Sequence, residues 1–416
     1  MSAASTASTD IRKRPLDLVA STTGWGLYCA SSWTWCIGMF LPIILLSRFG
    51  WGGFWAFLIP NVLGCAAFGY LFSKESSRRF ATNHASAVRW FSVATIAFQV
   101  FFLGWSAGAF VYAPDAAASG DAAVAGAVGD TLAWPVLGTI LTWTAGAFAF
   151  AGRGDLFWRW FATIAAVGSG SLFAIAVFDT GGPPAAPRPE GGASLLGAVP
   201  LLALGFIACP SLDATFHRAR QQTPSRHAFA IFGLVFAGML VFAGWVFDGL
   251  SPDRIAATLL PLVIAQWTLQ LVFTIGAHVR EVGLLPGGRM GGRPMLLFAV
   301  LLGTIAGLPG IAGEPVYLCF LGLYAIPFPM YVIAAVVAGG RGLQPCASRW
   351  VMGLSIILGP LGWLGFIENQ TLLLLPAAAG TAIGGWMIGR RFAKASIPPS
   401  AAESPVNPGN AATTTS

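Results

Sequence analysis

Apolar residues in this chain come in blocks of about 17 to 25, recurring from residue 24 to residue 389. A helix that crosses a bilayer needs this length, since roughly 20 residues at 1.5 Å each cover about 30 Å of hydrocarbon. Twelve blocks can be marked, at 24–47, 52–73, 88–112, 131–152, 156–178, 194–214, 228–247, 256–277, 295–312, 315–338, 350–366 and 370–389. The 416 residues are 56% hydrophobic and 9% charged, where soluble domains carry about 25% charged residues. The chain therefore reads as an all-α polytopic membrane protein of about 12 transmembrane helices, with the lipid bilayer as its first partner.

The net charge of +7 would fit nucleic acid, but the placement of the charges does not. With the N-terminus inside, all 23 Lys and Arg residues except Arg48, Arg188 and Arg254 fall in cytoplasmic segments, as the positive-inside rule asks. Asp115, Asp121, Asp130, Asp179, Glu190, Asp248, Asp253, Glu314 and Glu368 collect outside. A miscounted span would invert every later loop, so the pattern supports a multi-pass protein of the cell (inner) membrane with both termini cytoplasmic. Cys29, Cys36, Cys65, Cys209, Cys319 and Cys346 sit in or beside spans without CxxC spacing, so no disulfide framework is implied. His84, His217, His227 and His278 lie at cytoplasmic flanks with no ligand spacing, and no metal site is expected. The first block begins too late and runs too long for a cleaved signal peptide.

Two spans are interrupted. Span 6 meets Cys209-Pro210 and then Ser211-Leu212-Asp213 before reaching Arg218 and Arg220. A proline inside a helix removes a donor and clashes with the carbonyl four residues back. In hydrocarbon such a break persists only where it is buried or lines a cavity. Span 1 carries Ser31-Ser32-Trp33-Thr34-Trp35-Cys36-Ile37-Gly38 and then Pro42, with Trp33 to Gly38 roughly 13–21 Å from its inner end. Span 1 enters from inside and span 6 from outside, so five spans repeated in tandem would point opposite ways, as in inverted-repeat transporters. Spans 3 and 8 then correspond, and each carries a mid-membrane amide, Gln99 and Gln266, with Gln270 one turn further on. Spans 5 and 10 correspond less clearly, through Gly168-Ser169-Gly170-Ser171 and through Pro327 and Pro329. The expected organisation is a disordered cytoplasmic N-terminus (1–23), a first five-helix repeat (24–178), a second, inverted repeat (194–338), two additional helices (349–393) and a disordered tail (394–416). Polar connections are expected at Lys74 to Val88, Thr215 to His227 and His278 to Pro294 inside, with long outer loops at Ala113 to Asp130 and Asp179 to Ala193.

The run Ala30 to Pro42, followed by Gly53 to Tyr70, resembles the first two core helices of sodium:solute symporters of the amino acid–polyamine–organocation superfamily. The resemblance covers residues 24–340 in plan, and spans 1 and 2, with span 6 more loosely, in residue character. It implies a five-plus-five core with discontinuous helices 1 and 6, alternating access, and a solute held between those breaks and helices 3 and 8. Span 8 departs from the family pattern. It reads Ala265-Gln266-Trp267-Thr268-Leu269-Gln270, so Thr268 stands alone where adjacent hydroxyls would complete a sodium site.

The candidate solute-binding residues are Trp33, Cys36, Gly38, Gln99, Cys209, Pro210, Ser211, Gln266 and Gln270, and the candidate ion-coupling residues are Asp213 and Thr268, with Na+ or H+ as coupling ion. Each has a plainer reading. Trp33 and Trp35 pack at interfaces, the amides bond between helices, and Cys36 and Cys209 are small packing residues. Asp213 either caps an inner half-helix from Ala214 onward, or binds a cation or proton beside the break, or is an interfacial N-cap with Arg218 and Arg220 snorkelling beside it. The GxxxG matches Gly104/Gly108, Gly303/Gly307, Gly380/Gly384 and Gly385/Gly389 admit a homodimer. The leading function is secondary active transport of a small organic solute. The alternatives are a major facilitator-type transporter, echoed weakly by Gly69 to Arg79, a non-transporting sensor, and a membrane enzyme. An enzyme would need a cluster of catalytic groups, and no such cluster is visible in the sequence. The charge pattern makes one checkable statement: green fluorescent protein fused after the last residue fluoresces, while alkaline phosphatase fused there stays inactive. The opposite result would reverse the orientation.

Overall fold

The computed structural model describes residues 15–34, 36–112, 122–180, 192–248, 260–286, 288–339 and 341–394, and helices dominate them. Nine helices among the described residues are long and apolar enough to cross a membrane. The chain is an all-α polytopic membrane protein.

Span 1 is α1 (Pro15–Trp33) and the first part of α2 (Cys36–Leu71), parted at Thr34; Trp35 lies outside the described residues. α2 folds back at Gly50, whose φ of 61° and ψ of −158° suit glycine alone, and its second part is span 2. A short helix, α3 (Lys74–Asn83), precedes α4 (Ala85–Ser106), which a π turn (Ala107–Tyr112) prolongs. α5 (Ala122–Phe150) and α6 (Asp155–Thr180) are spans 4 and 5. Span 6 is α7 (Gly192–Ala208), a 3-10 turn (Cys209–Leu212) and α8 (Ala214–Gln222). α9 (Ala228–Asp248), α10 (Leu260–Leu284) and α11 (Gly288–Gly307) follow. Span 10 bends at Ile326 between α12 (Glu314–Ala325) and α13 (Pro327–Val337), where Pro327 cannot continue the hydrogen-bond ladder. α14 (Cys346–Phe366) and α15 (Leu374–Phe392) complete the chain.

Several expected boundaries move, because polar residues that find partners extend helices beyond their apolar cores. α1 starts at Pro15, so 15–23 is helical rather than disordered; 1–14 and 395–416 lie outside the described residues. The connection Lys74 to Val88 holds α3, opened by a capping box in which Ser73 and Ser76 bond each other's backbone N–H. Thr215 to His227 holds most of α8, and Phe80 of α3 stacks on His217 of α8 at 5.4 Å. The long connection at His278 to Pro294 shrinks to a few residues, since α10 runs to Leu284 and α11 starts at Gly288. The Ala-rich stretch from Ala122 is already α5, as alanine's helix preference favours; residues 113–121 and 181–191 lie outside the described residues.

Packing relates the two halves. Spans 1 and 7 pack together as do spans 6 and 2, spans 3 and 9 as do 8 and 4, spans 1 and 5 as do 6 and 10, and spans 8 and 5 as do 3 and 10. Exchanging each span n of the first five with span n+5 therefore carries one packing pair onto another. The GxxxG glycines are used inside the chain. A Cβ on Gly104 would lie 2.7 Å from the Gly307 carbonyl of α11, and one on Gly389 would lie 2.6 Å from the Ala334 carbonyl of α13. Backbones meet here without side chains between them. Gly104→Leu should accordingly cost about 1–3 kcal/mol by overpacking and lower the melting temperature. Gly353→Leu, where a Cβ meets nothing within 4 Å, should melt like the wild type.

Candidate functional site

The site is built from two open backbones. At the end of α1 the hydroxyls turn inward onto their own helix: Thr34 Oγ1 donates to the Ala30 carbonyl at 2.7 Å and Ser32 Oγ to the Cys29 carbonyl at 3.2 Å. Serine and threonine close a helix this way by competing for its last acceptors. Past the gap, the Cys36 N–H donates to Gln99 Oε1 of α4 at 3.4 Å, and Tyr317 of α12 donates its hydroxyl to the Cys36 carbonyl at 3.0 Å. The break in span 1 is thus tied to spans 3 and 10.

Span 6 opens at Asp213, whose backbone is extended (φ −78°, ψ 115°) and whose carboxylate caps α8. Asp213 Oδ1 accepts from Thr215 N at 2.7 Å, Thr215 Oγ1 at 2.6 Å and Phe216 N at 3.4 Å. The Ser211 carbonyl accepts from His217 Nε2 at 2.9 Å, and Ser77 Oγ lies 2.9 Å from the other ring nitrogen. The two breaks touch. Ser32 Oγ and Thr215 Oγ1 are 2.8 Å apart, and the Trp33 ring lies 5.0 Å from Phe216. Between them is a cavity lined by Trp33, Ile37, Gly38, Asn61, Phe206, Cys209 and Tyr324, with room for about one water. Trp33 Nε1 donates to Asn61 Oδ1 at 2.8 Å, and Tyr324 pairs with Thr95 Oγ1 at 3.1 Å.

Charged clusters flank this centre. On one side Arg218 holds both oxygens of Asp155 at 2.8 and 3.0 Å, Arg280 bonds Asp155, and Arg280 reaches Glu281 at 3.0 Å. Tyr28 of α1 donates to Glu281 at 3.3 Å. On the other side, about 30 Å along the helix from Tyr28 by its rise, Arg48 pairs with Glu314 at 2.5 Å. It also bonds Asn369 at 2.9 Å and the Phe366 carbonyl. The contacts tie spans 1, 5, 6 and 8 at one end, and spans 1, 10 and the end of 11 at the other.

The sequence candidates fall into groups. Trp33, Gly38 and Cys209 line the cavity, and Pro210 is buried in the 3-10 turn beside it. Cys36 contributes its backbone, and Ser211 is half-buried with its carbonyl already engaged. Gln99 and Gln266 are buried but are not among the cavity's walls. Gln99 Nε2 and both polar atoms of Gln266 have no hydrogen-bond partner among the described residues. Gln270 points at α6 instead, donating to Ser169 Oγ at 2.7 Å and toward the Ala165 carbonyl at 3.3 Å. Thr268 is half-buried. The α10 hydroxyl that reaches span 1 is Thr274, on the Ser31 carbonyl at 3.3 Å, and six residues along a 3.6-residue helix is a different face. Asp213 is fully buried rather than interfacial, and Arg218 and Arg220 turn away, to Asp155 and to the Phe72 carbonyl.

Asn61, Tyr317, Tyr324 and Thr274 are absent from the sequence-derived set. Asn61 could have been found, since it is an amide inside span 2 and meets the criterion that singled out the glutamines. His278, expected at a cytoplasmic flank, is buried in α10 with His84 and His217 buried elsewhere. Its Nδ1 is 3.1 Å from Ser92 Oγ, and its Nε2 is 3.9 Å from Asp213 Oδ2.

No protein-family model matches the chain, and no curated protein matches it. Among solved structures, the inward-facing conformation of Mhp1 aligns over 89% of this chain and 90% of its own, at 12% identity and a TM-score of 0.47. The geometry of the cap yields its own test. Asp213→Ala removes an N-cap and should cost about 1–2 kcal/mol in thermal unfolding, whereas Asp213→Asn, an equally good cap, should keep most of that stability.

Proposed function

We propose that this protein is a secondary active transporter that carries a small organic solute by alternating access. One observation carries the reading: two interrupted helices face each other across a small, mostly apolar cavity that Asn61 and Tyr324 help to wall, with ionic contacts closing both flanks. Broken helices inside a bilayer persist where they line a cavity, and paired breaks at an inverted-repeat interface are a recurring solution for solute binding. The exchange of packing pairs between spans 1–5 and 6–10 supports the two-repeat organisation, with spans 11 and 12 added outside it. The cavity holds about one water, so this is a closed form, and a solute enters when one ionic flank parts.

In this reading Trp33, Asn61, Tyr324 and Cys209 wall the solute, and Gly38 leaves room beside Phe236 and Leu240. Gln99 Nε2 and both polar atoms of Gln266 have no hydrogen-bond partner among the described residues and are ready for a polar group that arrives with the solute or its water. A buried amide without a partner costs about 1–3 kcal/mol, and a ligand that satisfies it recovers that cost. The sodium:solute symporter resemblance, the cytoplasmic termini and the inner-membrane location belong to this same proposal.

The test is uptake into proteoliposomes of a panel of amino acids, nucleobases, sugars and organic acids, with and without an imposed ion gradient. Gradient-dependent accumulation of at least one solute is expected, and absence of flux across the panel argues against transport. Gly38→Leu should abolish uptake by forcing the cavity wall at span 1 away from Phe236 and Leu240, which a side chain there would meet. Gln266→Ala should reduce it roughly tenfold, the effect of losing one buried hydrogen bond of about 1.4 kcal/mol; unchanged uptake removes Gln266 from the site.

A further inference from the structure

We propose that Asp213 and His278 form a proton-binding site, and that H+ is the ion this protein couples to its solute. The coupling half of this statement rests on the transport reading above; the binding half stands on the geometry of the pair. Both side chains are fully buried. Asp213 Oδ1 is saturated by its three donors on α8, while Oδ2 has no hydrogen-bond partner among the described residues. Oδ2 lies 3.9 Å from His278 Nε2. That separation is beyond a hydrogen bond and closes to one with a small approach when a proton enters between the two atoms. His278 Nδ1 is directed to Ser92 Oγ on α4 at 3.1 Å, which orients the ring so that Nε2 faces the carboxylate.

Charge balance points the same way. The nearby cluster contains two guanidinium groups, Arg218 and Arg280, and two carboxylates, Asp155 and Glu281, which pair among themselves. They leave no cation over for Asp213, and a carboxylate inside a membrane protein is costly without one. The other titratable side chains facing Asp213 are Tyr28 and Cys29 on α1, Cys65 on α2, Cys209 in the 3-10 turn and Tyr324 on α12. Phenols and thiols ordinarily keep their protons through the neutral range. One turn along α10 from His278, Glu281 is taken up by Arg280 and Tyr28. A metal cation would need a shell of oxygen ligands. Oδ2 faces a ring nitrogen instead, and no group of three or more His, Cys, Asp or Glu that could hold a metal occurs among the described residues.

Uptake of one proton from water, shared between Oδ2 and Nε2, takes the pair from a charge of −1 to neutral. The change is felt at both breaks. The same carboxylate caps α8, and Thr215, which donates to it, also contacts Ser32 at the end of α1. A proton on Oδ2 leaves Oδ1 to cap α8 as an amide oxygen would, and removes the negative charge from the junction between the inner half of span 6 and the end of α1.

Infrared difference spectroscopy tests this on the purified full-length protein in lipid, stepped between about pH 5 and pH 9. A carboxylic-acid C=O band is expected to grow on the acid side, to be lost in Asp213→Asn, and to shift its midpoint by about one pH unit in His278→Gln. Should Asp213→Asn fail to fold, the His278→Gln midpoint decides. A wild type with no such band, a band that persists in Asp213→Asn, or a midpoint unmoved in His278→Gln overturns the proposal. So does a band abolished at constant pH when NaCl replaces choline chloride, which would make this a sodium site. The measurement uses no solute, so a failed flux panel would overturn the transport reading and leave the proton site standing. Flux without the titrating band would do the reverse.

Discussion

The structure depends on one requirement, that backbone N–H and C=O groups freed inside a bilayer find partners within the protein. Span 1 opens at Thr34 and span 6 at Asp213; the first opening is closed by side chains from other spans, the second by side chains of span 6 itself. Gln99 and Tyr317 take the two backbone groups of Cys36, from spans 3 and 10. Asp213 takes the first N–H groups of α8, and His217 takes the Ser211 carbonyl. The polar residues at the centre of this apolar molecule are there because two helices are broken. The cavity is the space that those repairs leave.

The fold was legible where the physics is local. A bilayer sets the length of a helix, so apolar blocks marked the spans, and proline and hydroxyl runs marked the breaks. Partnership was not legible. Gln270 and Gln266 sit one turn apart with the same chemistry, yet Gln270 bonds Ser169 while Gln266 bonds nothing described. Only the approach of α6 separates them. Tyr317 and Tyr324 were missed because a tyrosine in a span is usually an interface anchor, and their role emerges once α12 lies beside α2 and α4. Helix α3 and the C-terminal end of α10 were hidden for the opposite reason. They are polar, and they are held by contacts such as Phe80 on His217 and Tyr28 on Glu281, which pattern reading cannot anticipate.

The ionic contacts on the two flanks differ in character. At the flank of Asp155, Arg280 and Glu281 are largely buried, with side chains 7% and 5% exposed. Removing one partner there leaves an uncompensated charge, which is strongly destabilising, although the intact pair contributes little net stability. At the other flank Arg48 and Glu314 are 22% and 42% exposed, so water can replace much of what each would lose. The Arg48–Glu314 contact is the easier of the two to open.

The fold-back at Gly50 has a mechanical meaning. A single residue of positive φ joins the second half of span 1 to span 2, and a Cβ on Gly53 would already lie 3.0 Å from the Leu45 carbonyl. There is no slack in such a joint. The two arms form an angle bracket rather than a hinged pair, and any tilt of one arm is imposed on the other within a residue. The first piece, α1, is separated from the bracket at Thr34. Span 1 is therefore two parts differently held, one braced to its neighbour through the backbone and one anchored by side chains to Glu281, the Ala162 carbonyl and Thr215.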